Sequence, residues 1–254
     1  MLVDTHSHIY SEDFSNDIDE VIQRAFENDV RKIVLPNIDS SSVKKMLDLS
    51  DRYPQICYPL IGLHPTSVNE DYGEELDLMA FWLERRRFYG IGEVGIDLYW
   101  DKTFIAEQTD AFRRQVILAK KHELPVVVHV RESFDEVYAV LCREKTGHLT
   151  GVFHSFAGTA EEAKRIIDIG FKLGINGIVT FKNNELNQVL AQVDPVHIVL
   201  ETDSPYLTPA PFRGKRNESS YLVYVAQKLA EIYQLPVAEI ARITAENSEK
   251  LFKI

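Results

Sequence analysis

PVVVHVR, residues 125–131, sets three consecutive valines behind a proline and ends them with a histidine, a valine and an arginine. Branching at Cβ favours extended backbone. A run that is apolar on both faces marks a strand covered on both sides, as in a parallel sheet. The histidine then stands where a strand gives way to a loop. The same pattern recurs in LVDTH (2–6), KIVLPNI (32–38), CYPLIGL (57–63), YGIGEVGI (89–96), TGVFH (150–154), FKLGIN (171–176) and HIVLET (197–202). Eight strands in 254 residues leave about 32 residues per unit, the size of a strand plus a returning helix.

Helical periodicity fills the gaps. Phe14, Ile18, Val21, Ile22, Ala25 and Phe26 recur at 3.6-residue spacing, as do Val43, Met46 and Leu47, then Leu76, Met79 and Leu83. Further stripes run through Phe112, Val116 and Ala119, through Phe134, Val137 and Leu141, and through Ala163, Ile166 and Ile167. The last stretch, 219–254, exceeds one barrel helix, and Pro236 breaks it into a C-terminal helical extension. No linker or shift of composition divides the chain. The expectation is an α/β fold, a single (β/α)8 TIM barrel spanning 1–254.

Chemistry-bearing residues fall at the ends of these strands: His6 and His8 in DTHSH, Glu93 in GEVGID, His129, His154 in VFHSF and Asp203 in LETDSP. Positions so far apart in sequence converge only if parallel strands present their C-terminal ends on one face, where barrels of this kind keep their active sites. Imidazoles and carboxylates are ligands for Zn, Mn, Ni or Mg. Asp4, His6 and His8 share one side of an extended strand, so Asp4 is expected to accept an N–H from a ligating imidazole. His64 in IGLHP, Arg131 and Glu201 share the same strand ends. Arg131 is suited to clamp a phosphate, His64 to line the substrate pocket, and Glu201 to orient a ligand or a lysine. Read alone, Asp203 would also serve as a turn before Ser204-Pro205, and Glu93 as half of a buried ion pair. His122, His148 and His197 lie away from these ends and carry no expected role.

The net charge is −11, with 28 Lys and Arg against 39 Asp and Glu. General affinity for polyanions, which comes from cations neutralising phosphates, is thereby excluded. The exception is local: Arg213, Lys215 and Arg216 crowd one loop after the last strand, with Phe212, Tyr206, Tyr99 and Trp100 near enough to stack on unpaired bases. Two isolated cysteines, Cys57 and Cys142, form neither a disulfide framework nor a zinc site and are expected in or near the core. With no signal-like start and no membrane-length apolar run, a cytoplasmic protein is expected.

DTHSH, IGLHP, GEVGID, PVVVHVRES, HSFAGT, LETDSPYL and RGKRNE, in this order, resemble the TatD family of metal-dependent deoxyribonucleases, and AENSEKLF (245–252) continues the resemblance. It implies one ion held by His6, His8, Glu93 and Asp203, and a second held by Glu93, His129 and His154. Glu93 would bridge them and Asp203 would act as base. It also implies 3′–5′ exonuclease action on single-stranded DNA ends, with endonuclease action as a further possibility. Three departures bear on pocket shape rather than on the ligands: Ser155 and Ala157 replace the usual Cys and Ser, Ser219 replaces a proline, and GIDLYW replaces GLDYY. The same ions would polarise a carbonyl, so an amide or ester hydrolase, such as one removing a D-amino acid from tRNA, remains the alternative. A binding protein that uses metals only for stability is disfavoured by a ligand set without thiolates.

Overall fold

In the computed structural model, which describes all residues but 146 and 183, the eight strands appear in order. They are β1 (Leu2–Asp4), β2 (Val30–Leu35), β3 (Cys57–Pro59), β4 (Ile91–Asp97), β5 (Val126–Arg131), β6 (Gly151–Phe153), β7 (Phe171–Ile175) and β8 (Ile198–Leu200). All ladders are parallel, β1 to β3 in one set and β4 to β8 in the other. Two isolated parallel bridges join the sets: Ile61 with Ile91, and Ser7 with Ser204. Backbone bonds from Thr5 to Leu200 (2.9 Å) and from Asp203 to His6 (2.8 Å) close the ring between its first and last strands. The result is a (β/α)8 barrel.

The helices are α1 (Ile18–Glu27), α2 (Ser40–Arg52), α3 (Tyr72–Leu83), α4 (Ile105–His122), α5 (Phe134–Glu144), α6 (Ala160–Asp168), α7 (Leu186–Leu190), α8 (Leu222–Tyr233) and α9 (Val237–Phe252). Pro236 separates α8 from α9 as expected. Two details differ from the periodicity. Phe14 is buried in a separate 3-10 turn, Glu12–Phe14, and Phe26 is 56% exposed beneath the Arg31 guanidinium. The short α7, with one turn of apolar residues, gives too little period to detect.

Alternation along β5 shows how valines build both layers. Val126 and Val128 face outward into the large cluster shared with the helices, while Val127 faces inward. There it meets Val34, Leu60, Val152 and Val199, and Leu251 and Phe252 of α9 close the group. The α9 contacts fix which end is plugged. Asn247 donates to the Pro195 and Ile198 carbonyls, at the entry to β8, and Glu249 pairs with Lys32 in the first half of β2. The barrel bottom is therefore stoppered by apolar side chains, leaving the C-terminal face for chemistry. Cys57 is buried, but Cys142 is exposed, against the near-core expectation. Among the described residues no helix is long and apolar enough to cross a membrane.

Candidate metal centre

His6 and His8 lie just past β1, where His6 is enclosed completely and His8 nearly so. Their Nε2 atoms are 3.2 Å apart. Glu93 Oε2 lies 3.1 Å from His6 Nε2 and 3.7 Å from His8 Nε2, and Asp203 Oδ1 is 3.8 Å from both. Ligand atoms placed tetrahedrally about 2.1 Å from a shared centre stand about 3.4 Å apart. The observed spacings bracket that value, so the donor set fits one divalent ion without rearrangement.

The other oxygen of Glu93 faces a different group. Oε1 is 2.8 Å from His129 Nδ1, 3.5 Å from His64 Nε2 and 3.8 Å from His154 Nε2. His154 Nε2 is also 3.8 Å from Asp203 Oδ2. Glu93 and Asp203 thus each turn one oxygen to either side. His64, expected only to line the pocket, sits among the candidate ligand atoms. Its Nδ1 accepts from the Thr66 amide (3.2 Å), which turns Nε2 toward Glu93.

Glu93 does not close its strand, as the sequence suggested. It is the third residue of β4, which runs on to Asp97, and the ladder to β5 shifts register between Ile91 and Val94. His129 is likewise inside β5. His154 and Asp203 follow β6 and β8, and Asp203 takes a left-handed φ of 57°. That region costs Asp less than most side chains, and it turns the carboxylate back over the barrel.

Carboxylates and burial compete for the protons here. Burial disfavours a charged His154, but Glu201, Glu93 and Asp203 overcome it and push the ring up to about 10. For His129, burial is outweighed by bonds to Asp97 and Glu93, which raise it to about 9. His6 goes the other way, held well below its ordinary value by burial and by the charge of His154. Asp203 is raised to about 6 by burial. Glu93, although buried, is held well below the usual carboxylate range by the surrounding imidazoles.

Supporting groups were less legible. Asp97 Oδ2 is 2.9 Å from His129 Nε2, a partner that the sequence reading passed over. Its signal was present: a carboxylate ending a strand next to one that carries a ligand. Glu201 Oε1 stands 3.0 Å from His154 Nδ1, the orienting place expected for it. Asp4 corrects an expectation. It accepts from the Thr202 amide (2.9 Å) and hydroxyl (2.7 Å) rather than from an imidazole, and burial raises it to about 7.

Above these groups opens a cleft of about 760 Å³, lined by His8, His64, Glu93, His129, Arg131, His154 and Asp203 among others. Arg131 packs its guanidinium 3.9 Å from the Tyr99 ring centre and 5.2 Å from that of Trp100. Among the described residues it has no carboxylate within ion-pair distance. Arg213, Lys215 and Arg216 do not line this cleft. Arg216 is paired with Asp17 (2.6 Å), and Arg213 lies over Phe181.

A closed parallel barrel that gathers histidines and carboxylates from separate strands at one end is the architecture of a metal-dependent hydrolase. The chain belongs to the TatD family: the family described as TatD related DNase matches residues 3–253. It is 38% identical over 255 residues to YabD of Bacillus subtilis, an uncharacterized metal-dependent hydrolase, with 100% of both chains covered. Among solved structures it is similar to YjjV, a TatD homolog from Escherichia coli, at a TM-score of 0.94 and 30% identity, covering 100% of this chain and 98% of that one. A TatD family hydrolase from Entamoeba histolytica has a TM-score of 0.88 at 25% identity, with 99% and 97% covered.

Proposed function

We propose that the protein is a deoxyribonuclease that cleaves phosphodiester bonds, acting on single-stranded ends. The observation that carries this reading is the division of Glu93, one oxygen toward His6 and His8 and the other toward His129 and His154, beneath a cleft holding an arginine that has no acid partner among the described residues. Two divalent ions, one held by His6, His8, Glu93 and Asp203 and the other by Glu93, His129 and His154, would neutralise the phosphodiester charge and make water a better nucleophile.

The chain's own groups supply the rest. Burial raises Asp203 to about 6 in the metal-free protein; beside a bound ion it would be held ionised and placed to accept a proton from water as general base. Arg131 offers a planar fork of donors to a phosphate, and its aromatic cushion keeps the fork in the cleft. His64 lines the same cleft beside Glu93 and is placed to contact substrate.

The test is hydrolysis of end-labelled single- and double-stranded DNA in Zn, Mn, Ni or Mg. Mononucleotides released from single-stranded ends are the expected product. Inertness toward DNA, with release of an amino acid from an aminoacyl substrate, would move the assignment to amide or ester hydrolysis.

A further inference from the structure

Beside the cleft lies a second cavity of about 470 Å³ that shares Thr66, Asp97 and Trp100 with it. Trp100 is 69% exposed and lines both spaces. Phe104 contributes a second aromatic ring to the side cavity, and Val68 and Pro65 add apolar surface. The polar lining is Asp39, Asp97, Asp101, Asn69 and Gln108 together with two hydroxyls, without a lysine, arginine or histidine.

Gln108 is the informative residue. It is only 4% exposed, and its Oε1 accepts from the Asp97 amide at 2.9 Å. Its Nε2 has no hydrogen-bond partner among the described residues, although the side chain lines the cavity. With its Oε1 held by the Asp97 amide, the Gln108 side chain is fixed in orientation and leaves its Nε2 hydrogens open to an acceptor placed in the cavity. Opposite in character, Asp101 spends Oδ1 on Thr103 and leaves Oδ2 without a partner among the described residues.

A phosphate is poorly suited to this space, because every charged lining group is a carboxylate. A flat, uncharged ring bearing both donors and acceptors matches the aromatic rings, the Gln108 amide and the Asp101 oxygen. Resting on the phosphodiesterase reading, we propose that the side cavity receives the unpaired nucleobase next to the scissile phosphate, stacked on Trp100. The phosphate stays with Arg131 in the adjoining cleft. A base held in a duplex would have to leave its stack to enter, so the cavity selects single strands. The carboxylate acceptor further favours amino-bearing bases over thymine.

The chain has two tryptophans, Trp82 and Trp100, and Trp82→Phe leaves Trp100 as the only indole reporter. Titrating this variant with a short single strand of cytosines should quench the emission, and an abasic strand of equal length should not. In steady-state assays the wild type should prefer the base-bearing strand, since stacking one base on an aromatic ring is worth about 5- to 160-fold. Trp100→Ala, a change at an exposed position, should collapse that ratio toward unity, and Trp100→Phe should keep most of it. Equal quenching by both strands, or an unchanged ratio in Trp100→Ala, overturns the base subsite while leaving the nuclease reading in place. Failure of the wild type to hydrolyse either strand overturns the nuclease reading and the subsite with it.

Discussion

Glu201 Oε1 lies 3.0 Å from His154 Nδ1, on the edge of the ring opposite the Nε2 that faces Glu93 and Asp203. Glu201 is fully buried, and the same oxygen accepts from the Ser155 amide at 2.6 Å. The His154 ring in turn stacks on His6 with centroids 3.5 Å apart. One carboxylate behind the site therefore fixes a ring that touches both proposed metal groups.

Glu201→Gln keeps the shape and removes the charge that holds this ring. Loss of such an outer partner typically costs about 10- to 100-fold in metal affinity. Calorimetric titration of the metal-free variant with Zn or Mn should show that loss while circular dichroism stays that of the wild type. Unchanged affinity would mean that Glu201 only fills space.

Gly174 makes room for Glu201. A Cβ at this position would come 2.3 Å from Glu201 Oε2 and 2.8 Å from its Cδ. Because Glu201 is enclosed and tied to Ser155, it cannot swing away freely. Gly174→Ala should destabilise the protein by about 1–3 kcal/mol, as overpacking does, and should weaken metal binding along with Glu201→Gln. Adding Glu201→Asp, which withdraws the carboxylate by one methylene, should recover stability in denaturant titration without recovering affinity. A variant as stable as the wild type would show that the barrel relaxes at this point.

Asp203→Asn separates chemistry from folding. Its amide hydrogen bond to His6 is backbone and survives the change. Base assistance alone is worth roughly 10²–10⁴ in rate, so kcat of the folded, metal-loaded variant should fall by at least that much. Retention of more than about a tenth of wild-type turnover, well short of that range, would reduce Asp203 to a turn residue.

Protons should leave when metal arrives. His154 is raised to about 10 and His129 to about 9, so both rings hold a proton in the metal-free protein at neutral pH. Coordination needs those nitrogens bare. Titrations in buffers of different ionisation enthalpy should report net proton release at pH 7, with affinity rising as pH approaches the raised values. The same shifts set the stability of the metal-free form. Values raised above the ordinary histidine range mean stabilisation present below about 6.5 and lost as pH climbs through 9 to 10. A metal-free protein that gains stability over that window would contradict the charge arrangement.

The barrel and the atoms at its mouth were written in the chain with unequal clarity. Valine runs such as Val126–Val128 announce their strands because both faces are apolar, and the histidines that follow announce the site. Local pattern carries β4 through Glu93 to Ile96 and stops one residue short, because the polar Asp97 ends the apolar run while the ladder to β5 pairs it with Arg131. Asp97, just beyond that apolar run, meets His129 only through this pairing of neighbouring strands. Asp4 misled because its partner, Thr202, is distant in sequence and meets it only when the barrel closes. Thr202 and Asp203 are neighbours, yet one serves closure and the other faces the site.

The loop cations and Arg131 make contrasting claims on a polyanion. Arg216 is committed to Asp17 at 2.6 Å, to the Asp13 carbonyl and to the Phe14 ring, so its charge largely ties the loop to the segment before α1. Arg131 has no such tie among the described residues and lines the cleft. Arg131→Ala should therefore raise KM for a single-stranded oligonucleotide about tenfold, the scale of one charge-assisted hydrogen bond. It should also flatten the dependence of log K on log salt by about 0.7, the share of one phosphate on a single strand. Arg216→Ala should leave KM and slope near wild type and instead lower the midpoint of thermal unfolding by a few degrees, as a loss of about 1 kcal/mol does in a chain of this size. If the two variants exchange these phenotypes, the polyanion path runs over the loop, and the cleft arginine holds the rim together through Tyr99.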